Sequence, residues 1–341
     1  MNRLIHLKQT LKQNILDNEN YPDLEFILLD YNSSDGLQEY VETELDYFIK
    51  NKKLIYFRTE EPVKYNMSHS RNLAFKLATG EIVCNIDADN FTGIGFASFV
   101  NDMFQDDDKI FLCTHDKVAV KNDVLGRICV KKVDFLSISG YDETMKHYGF
   151  DDHDFCNRLE MFGLKKKTIN DIKFLNAISH DNAVRMSNFN TSELEILFIK
   201  HLSPAMSNLY FLFKNGECVS GTIVNNLVYN ALNLDSPKKS LKFRYSILEK
   251  NWLFGSWERI DNEIKLLSAG KQTTLLKKKE NLFLSEGINN FIVVTSKHLM
   301  EEMLFFYHQL SNRLIMEKNL LSGNFIVNNG IFGEGKVIKN L

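Results

Sequence analysis

The first 190 residues are predicted to form an α/β fold, and three observations indicate it. Apolar residues at helical spacing alternate with short, almost continuous apolar runs, which is the pattern of strands buried between two layers of helices. Two of these runs lead into acidic residues, and the carboxyl ends of strands are where open α/β sheets bind ligands. The chain of 341 residues is 44% hydrophobic and 25% charged, as in a globular protein of about two domains.

The predicted elements of this part alternate along the chain. Helices are expected where apolar residues recur every three to four positions, and strands where three or four apolar residues are adjacent. Gly80 ends the third helix. In chain order the prediction is a helix at 4–15, a strand at 26–29, a helix at 37–48, a strand at 54–57, a helix at 70–78 and strands at 81–87, 110–113 and 127–130.

A different pattern begins near Thr191, so the predicted domains are 1–190 and a smaller C-terminal α+β region at 191–341 of unassigned role. A helical stretch is expected first, followed by a Lys-rich, less regular segment. Alternating apolar residues at 263–267 and an apolar run at 291–294 indicate a small sheet. A long helix is predicted to begin at Ser296 and to end near Gly323.

The composition limits the functional classes to which the protein can belong. The formal net charge of −3 lacks the basic excess of nucleic-acid-binding proteins. The five cysteines are scattered without a CxxC pair, which indicates reduced, buried thiols. No stretch approaches the ~20 apolar residues of a membrane span, and the N-terminus lacks the pattern of a signal peptide. We therefore expect a cytoplasmic protein, with the inner face of the membrane as its alternative place of action.

Two aspartates separated by one residue follow the third predicted strand. On an extended backbone, residues two apart project to the same side, so Asp87 and Asp89 can present two carboxylates together. Such hard oxygen donors at the end of a strand suit a divalent cation that holds a diphosphate. An acidic, solvated turn is the alternative for this tripeptide taken alone.

Two further charged residues stand at predicted element ends. Asp30 terminates the first strand, where a carboxylate can accept hydrogen bonds from a pyrimidine or a ribose; a turn or helix cap is an equal alternative. Arg71 is predicted in the first turn of its helix, where helix electrostatics favour acids. An anionic ligand at the helix start explains this guanidinium, and a salt bridge to Asp30 or Asp87 does so equally well.

A second acidic cluster lies at the start of the helix predicted within 149–159. Acids in a first turn complement the helix dipole, and Asp154 with Arg158 makes an ordinary i,i+4 pair. Three aspartates beside a histidine concentrate more charge than this role requires. Because close carboxylates repel, either Asp151 or Asp152 can have a raised pKa and serve as a general base.

Together these segments resemble the GT-A glycosyltransferases of family 2, over 26–36, 68–90 and 140–159. The last segment is most similar to the galactosyl- and N-acetylgalactosaminyltransferase branch, which includes chondroitin-polymerase-like enzymes. The resemblance covers about 1–190 and implies a Rossmann-like mixed sheet with helices on both faces. It also implies a hexosyltransferase (EC 2.4) that works by inversion in polysaccharide or glycoconjugate biosynthesis. Its donor would be a nucleotide sugar, with UDP expected, and its acceptor a saccharide or a lipid-linked saccharide.

The resemblance further implies roles for single residues on the donor side. Asp87-Ala88-Asp89 is similar to the DxD element, with Asp89 binding the metal, Mn²⁺ or Mg²⁺, and Asp87 lying near the ribose or the metal. Asp30 matches the position that contacts the uracil, and Arg71 a position near the nucleotide. His180 matches the histidine that completes the metal site.

On the acceptor side, Asp151 and Asp152 resemble the acidic pair of the family, with Asp152 in the place of the catalytic base. The resemblance also implies a strand before the helix that starts near Asn2. Because the chain begins at Met1, we expect a sheet without this first strand and a weakened donor site, unless the start codon is internal.

Two other functions stay open beside transfer. One is a degenerate protein that binds a sugar nucleotide or a partner without catalysis, and the missing strand motivates it. The other is a nucleotidyl- or phosphoryltransferase that uses the same metal, although the chain has neither a P-loop nor a GxGxxG loop.

The C-terminal region offers two further open questions. Trp252 and Trp257 can stack on an acceptor sugar or anchor a core, and we favour the core. A set of basic residues can approach a lipid-linked or anionic acceptor at a membrane surface, or form a solvated basic face, which we favour. The set consists of Lys238, Lys239, Lys242, Arg244 and the lysines at 277–279. The sequence contains no indication of the oligomeric state.

Overall fold

The computed structural model describes residues 1–62, 64–114, 123–179, 191–226, 245–268, 270–285 and 289–340. The chain forms two compact units, one of residues 1–184 with 311–341 and the other of residues 185–310. The predicted division at residue 190 differs from this arrangement, because the last 31 residues return to the first unit.

The elements of residues 1–179 alternate between helices and strands, which confirms the predicted α/β class. They are α1 (Leu4–Asp17), β1 (Phe26–Tyr31), α2 (Leu37–Glu44), α3 (Asp46–Lys50), β2 (Leu54–Thr59), α4 (Met67–Leu77), β3 (Ile82–Cys84), β4 (Asn90–Phe91), α5 (Phe96–Asp106), β5 (Ile110–Thr114), β6 (Cys129–Lys131), α6 (Lys132–Ser137), α7 (Asp151–Met161), β7 (Lys165–Ile169), a 3₁₀ turn (Ile172–Phe174) and β8 (Asn176–Ala177).

The second half of the chain is richer in strands. Its elements are a 3₁₀ turn (Thr191–Glu193), β9 (Leu194–His201), β10 (Met206–Phe213), β11 (Glu217–Asn225), β12 (Tyr245–Ile260), β13 (Glu263–Ser268), β14 (Lys271–Lys279), β15 (Leu282–Ser285), β16 (Asn289–Val293), α8 (Lys297–Ser322), a 3₁₀ turn (Asn328–Gly330) and β17 (Val337–Asn340). The long helix predicted from Ser296 to Gly323 is present as α8.

The prediction of a helical stretch after Thr191 is wrong, because β9, β10 and β11 lie in this part of the chain. β11 is buried along almost its whole length. A strand buried on both faces lacks the alternation of polar and apolar residues, so its apolar run does not distinguish it from a buried helix. The expected small sheet is likewise larger, because β9 to β16 form one closed antiparallel sheet of eight strands.

The described strands of the first unit form three separate sheets rather than one. β1 and β2 are parallel, and β17 pairs antiparallel with the other edge of β2. The second sheet has the order β3-β6-β5-β7, in which only β5 and β7 are parallel. β4 and β8 form a short ladder. Among the described strands, β1 and β3 share no hydrogen bonds. The mixed sheet that was predicted as one is therefore two sheets, one containing β1 and the other containing β3.

Two predicted elements have different bounds in the structure. The helix expected at 37–48 consists of α2 and α3, separated at Leu45, whose φ and ψ of −118° and 4° are not helical. The strand expected to end at Asp87 ends at Cys84. The chain turns three residues later, between Asp87 and Asn90, where the backbone N–H of Asn90 donates to the carbonyl of Asp87 at 2.9 Å.

Aromatic side chains form much of the core around α4, α6 and α7. Tyr141 stacks on Phe155 with 4.2 Å between ring centroids, and Phe332 packs edge-on against Phe135 at 5.7 Å. Phe325 packs against the same cluster. Burial of these rings, worth roughly 1.5–3 kcal/mol each, explains why residues 311–341 belong to the first unit.

The closed sheet of the second unit is filled by apolar side chains such as Phe198 and Phe283. Trp257 packs against this interior, and its indole N–H donates to the carbonyl of Phe213 at 2.8 Å. Trp252 stacks on Phe211 with ring centroids 6.0 Å apart. Both tryptophans therefore serve the core.

The lysines at 238–242 lie outside the described residues. No helix in the described part of the chain combines the length and apolar character needed to cross a membrane.

Candidate functional site

The two aspartates of the Asp-Ala-Asp segment lie on a hydrogen-bonded turn after β3. The Asn85 amide donates to Asp87 Oδ1 at 3.0 Å and to the carbonyl of Gly126 at 2.9 Å. The Asn90 amide donates to Asp89 Oδ1 at 2.8 Å. Each carboxylate is thus oriented by a neighbouring asparagine, which reduces the freedom that the side chains must lose when they bind a ligand.

Helix α1 fixes this turn from the other side. The hydroxyl of Thr10 donates to the carbonyl of Ala88 at 2.6 Å, and the amide of Asn14 donates to the carbonyl of Asn90 at 2.9 Å. Asn14 also accepts the backbone N–H of Thr92 at 2.8 Å. Because Thr10 and Asn14 are buried, these bonds are shielded from competing water, and the polar face of α1 holds the turn in place.

Arg71 connects this turn to the acidic start of α7. Its Nη1 donates to Asp151 at 2.5 Å and to Asp152 at 2.7 Å, while its Nη2 donates to Asp87 at 3.2 Å. The guanidinium is only 6% exposed. The predicted salt bridge to Asp87 is therefore present, whereas Asp30 pairs with another arginine. One side chain brings together acids that are about 65 residues apart in sequence.

Arg71 does not lie in the first turn of its helix, contrary to the prediction. The side chain of Asn66 accepts the backbone N–H of His69 at 3.0 Å and caps the helix, which begins at Met67. Arg71 is therefore the fifth helical residue, beyond the free N–H groups of the first turn. Its position depends on the neighbouring Asn72, whose amide donates to the carbonyl of Tyr141 at 2.9 Å and whose oxygen accepts the Tyr141 N–H at 2.7 Å.

The aspartates of α7 divide into two sets. Asp151 and Asp152 point to Arg71, while Asp154 accepts a hydrogen bond from Nε of Arg158 at 2.7 Å. Asp154 and Arg158 are both almost completely buried, at 1% and 0% exposure. The i,i+4 pair expected from the spacing is thus a buried structural pair, and it leaves Asp151 and Asp152 as the acids that face the site.

The acids of the site differ in their affinity for a proton. Burial raises the pKa of Asp152 well above the ordinary aspartate value, and Asp151 raises it further, although Arg71 opposes both effects. Burial also raises the pKa of Asp151. At Asp87 the effect of burial is outweighed by Arg71 and the Asn85 amide, so its pKa is lowered. The environment therefore favours a permanent carboxylate at Asp87 and a proton acceptor at Asp152.

Asp30 is completely buried at the end of β1. Its carboxylate accepts the backbone N–H of Ser33 at 2.7 Å, the hydroxyl of Tyr56 at 2.7 Å and Nη1 of Arg58 at 2.8 Å. These bonds hold the turn that leads from β1 to α2. Contact between Asp30 and a nucleotide base stays a prediction.

A metal site is represented here by two of its three predicted ligands, since His180 lies outside the described residues. Among the residues that the structure describes, no group of three or more His, Cys, Asp or Glu side chains could hold a metal ion. Asp87 and Asp89 nevertheless fit the chemistry of Mg²⁺ or Mn²⁺. Such ions are commonly held by one or two carboxylates, with water and substrate phosphates as the other ligands.

Three residues that shape the site were not predicted. Asn85 orients Asp87, and Arg58 orients Asp30. Gly126 lets its backbone lie against Asp87 and Arg71. A Cβ atom on Gly126 would lie 2.5 Å from Asp87 Oδ2 and 2.7 Å from Arg71 Nη2. The spacing of Asn85 before Asp87 is a signal that could have been used. No sequence signal marks Gly126, because it lies far from Asp87 and Arg71 along the chain.

The first unit thus combines an α/β fold with an Asp-x-Asp turn after β3 and the acidic start of α7, which Arg71 joins. Residues 2–162 match the sequence model of Glycosyl transferase family 2.

Two solved structures resemble the chain at low sequence identity. One is GalNAc-T7 with UDP, GalNAc and Mn²⁺, which is 9% identical, with a TM-score of 0.39 and coverage of 87% of this chain and 78% of the other. The second is a mutant Drosophila β-1,4-galactosyltransferase 7 in complex with manganese, UDP-Gal and xylobiose. It is 13% identical, with a TM-score of 0.33 and coverage of 81% and 98%. No curated protein matches the chain.

Proposed function

We propose that this protein transfers a sugar, with inversion, from a nucleotide-diphosphate donor to a saccharide acceptor in polysaccharide or glycoconjugate biosynthesis. A UDP-sugar is the expected donor. The observation that supports this most is that the buried guanidinium of Arg71 joins the partly exposed Asp87 to Asp151 and Asp152. An inverting displacement needs one group beside the leaving diphosphate and another beside the acceptor hydroxyl, and the two acidic segments can supply them.

On the donor side, Asp87 and Asp89 would hold a divalent cation, Mn²⁺ or Mg²⁺, which when bound neutralises charge on the diphosphate. The lowered pKa of Asp87 suits this task, because the carboxylate stays ionised at neutral pH. Arg71 adds a positive charge next to Asp87. An anionic leaving group is favoured where such charges are fixed in advance.

On the acceptor side, we assign Asp152 as the general base. As the acceptor oxygen forms its bond to the anomeric carbon, the bond from that carbon to the diphosphate breaks and the hydroxyl proton passes to Asp152. A base is most effective when its pKa is near the working pH, and the pKa of Asp152 is shifted in that direction. Asp151 shares Arg71 with Asp152 and helps to hold the guanidinium in place.

Replacing Asp152 by asparagine tests this assignment. The release of UDP from a panel of UDP-sugars, with Mn²⁺ and simple oligosaccharide acceptors, measures transfer, and calorimetry measures the affinity for UDP. Asp152→Asn should lower the transfer rate by about 10²–10⁴-fold and leave the affinity for UDP nearly unchanged. Glu160→Gln, an exposed change on the same helix, is the control.

Three results would redirect the proposal. Transfer at the wild-type rate by Asp152→Asn would exclude Asp152 as the base. UDP binding by the wild-type protein without release from any donor would indicate the non-catalytic alternative. Cleavage between the α and β phosphates would indicate a nucleotidyltransferase.

A further inference from the structure

The acidic start of α7 follows a loop with an unusual backbone. His147, Gly149 and Phe150 all have positive φ values, at 66°, 98° and 67°. For residues other than glycine this region is unfavourable, and it persists only where surrounding contacts impose it. Phe150 is also the N-cap residue of α7, and its side chain makes no capping hydrogen bond. The direction in which Asp151 and Asp152 leave the loop therefore depends on contacts from elsewhere.

Asn312, in the part of α8 that belongs to the first unit, makes such contacts. Its oxygen accepts the backbone N–H of Lys146 at 3.1 Å. Its amide donates to the carbonyls of Lys146 at 3.0 Å and Gly149 at 2.9 Å. Asn312 is 3% exposed. One buried side chain thus makes hydrogen bonds to both ends of the loop 146–149. Water cannot easily replace these bonds, because the side chain is buried.

Asn319 makes the second set of contacts, two helical turns further along. Its amide donates to Asp142 at 2.9 Å and to Asp154 at 3.0 Å. Asp154 lies in the first turn of α7, and Asp142 lies before the loop. Residues seven apart return to the same face of a helix, so Asn312 and Asn319 form a polar pair on one face of α8. Between them they contact the loop and the first turn of α7.

We propose that Asn312 and Asn319 are positioning residues for Asp151 and Asp152, acting through the loop and the first turn of α7. The segment 311–341, which the family match at 2–162 does not include, is then part of the catalytic apparatus. This inference rests on the proposed role of Asp152. Neither asparagine touches substrate in this scheme, so their removal affects the rate of transfer and leaves the donor side intact.

The test compares Asn312→Leu with Lys318→Ala in the full chain. Leucine has a similar size but cannot form the three hydrogen bonds, and Lys318 is an exposed residue of the same helix. Hydrogen–deuterium exchange should become at least about 10-fold faster at 146–155 and stay unchanged at 82–91, because opening of the loop is local. In transfer assays kcat should fall by about 10²-fold, as expected for a misplacement near 1 Å, while the affinity for UDP with Mn²⁺ changes by less than about twofold.

Exchange that stays at the wild-type rate at 146–155, or that rises equally at 82–91, would overturn the proposal. So would an unchanged kcat, or a parallel loss of kcat and UDP affinity. Asn319→Ser, which keeps a small polar group, provides a milder second variant with the same expected pattern if Asn312→Leu does not fold. Exchange does not require turnover. A wild-type protein that transfers no sugar would therefore defeat the proposed function, while the exchange result still decides whether the asparagines position the loop.

Discussion

Adding one methyl group at Gly126 should damage the site more than it damages the fold. The new Cβ would lie 2.5 Å from Asp87 Oδ2 and 2.7 Å from Arg71 Nη2, whereas ordinary contact begins at 3.4 Å. These atoms must therefore move by roughly 0.9 and 0.7 Å. Arg71 cannot yield easily, because Asp151 and Asp152 hold its other nitrogen at 2.5 and 2.7 Å. The displacement falls on the groups that we assign to the donor and acceptor sides.

The expected effect of Gly126→Ala is a loss of about 10²-fold in kcat/KM, as for other misplacements near 1 Å. Overpacking of this kind lowers the free energy of unfolding by about 1–3 kcal/mol. UDP release with Mn²⁺ measures the first effect, and thermal unfolding followed by circular dichroism measures the second. Gly80→Ala is the matched control, because a Cβ there meets only the Ile82 carbonyl, at 3.4 Å. Equal activity of the two variants would refute the close approach of Gly126 to the acidic cluster.

The remaining predictions concern pH and buried charge. Because the pKa of Asp152 is raised by burial, the base carries its proton at acid pH, and kcat should rise with pH through a midpoint well above the ordinary aspartate value. The same shift makes the ionised form less stable in the folded protein, so the stability contributed by protonated Asp152 is lost as pH rises through its folded pKa. A pH–rate profile measures the dependence of kcat, with folding checked at each pH. A kcat that stays constant down to pH values near the ordinary aspartate pKa would contradict a raised pKa of Asp152. Arg158→Met leaves the buried Asp154 without its cation and should lower the free energy of unfolding by about 3–5 kcal/mol, roughly 10 °C in the midpoint for a unit of this size. Lys50→Met removes an exposed pair and serves as the control, so similar midpoints for the two variants would show that the buried pair adds little.

Several parts of the fold followed from local patterns. The spacing of Leu7, Leu11 and Ile15 predicted α1, and the run from Phe26 to Leu29 predicted β1, because burial of one face imposes its own period on the sequence. The strands after Thr191 were not recognised, because a short apolar run such as 196–199 does not distinguish a strand from a helix. The position of Arg71 was misjudged by one turn, because the cap at Asn66 lies before the first apolar residue of the helix.

By itself, the sequence determined the α/β class of the first half, the family resemblance and the two acidic segments around Asp87 and Asp152. These depend on residue type and short spacing, which are local properties. Only the tertiary structure decided that Arg71 joins the two segments, that Gly126 lies against them and that Asn312 and Asn319 return to hold the loop before α7. Such contacts join residues that are distant along the chain, and they form only when packing of the core brings the segments together.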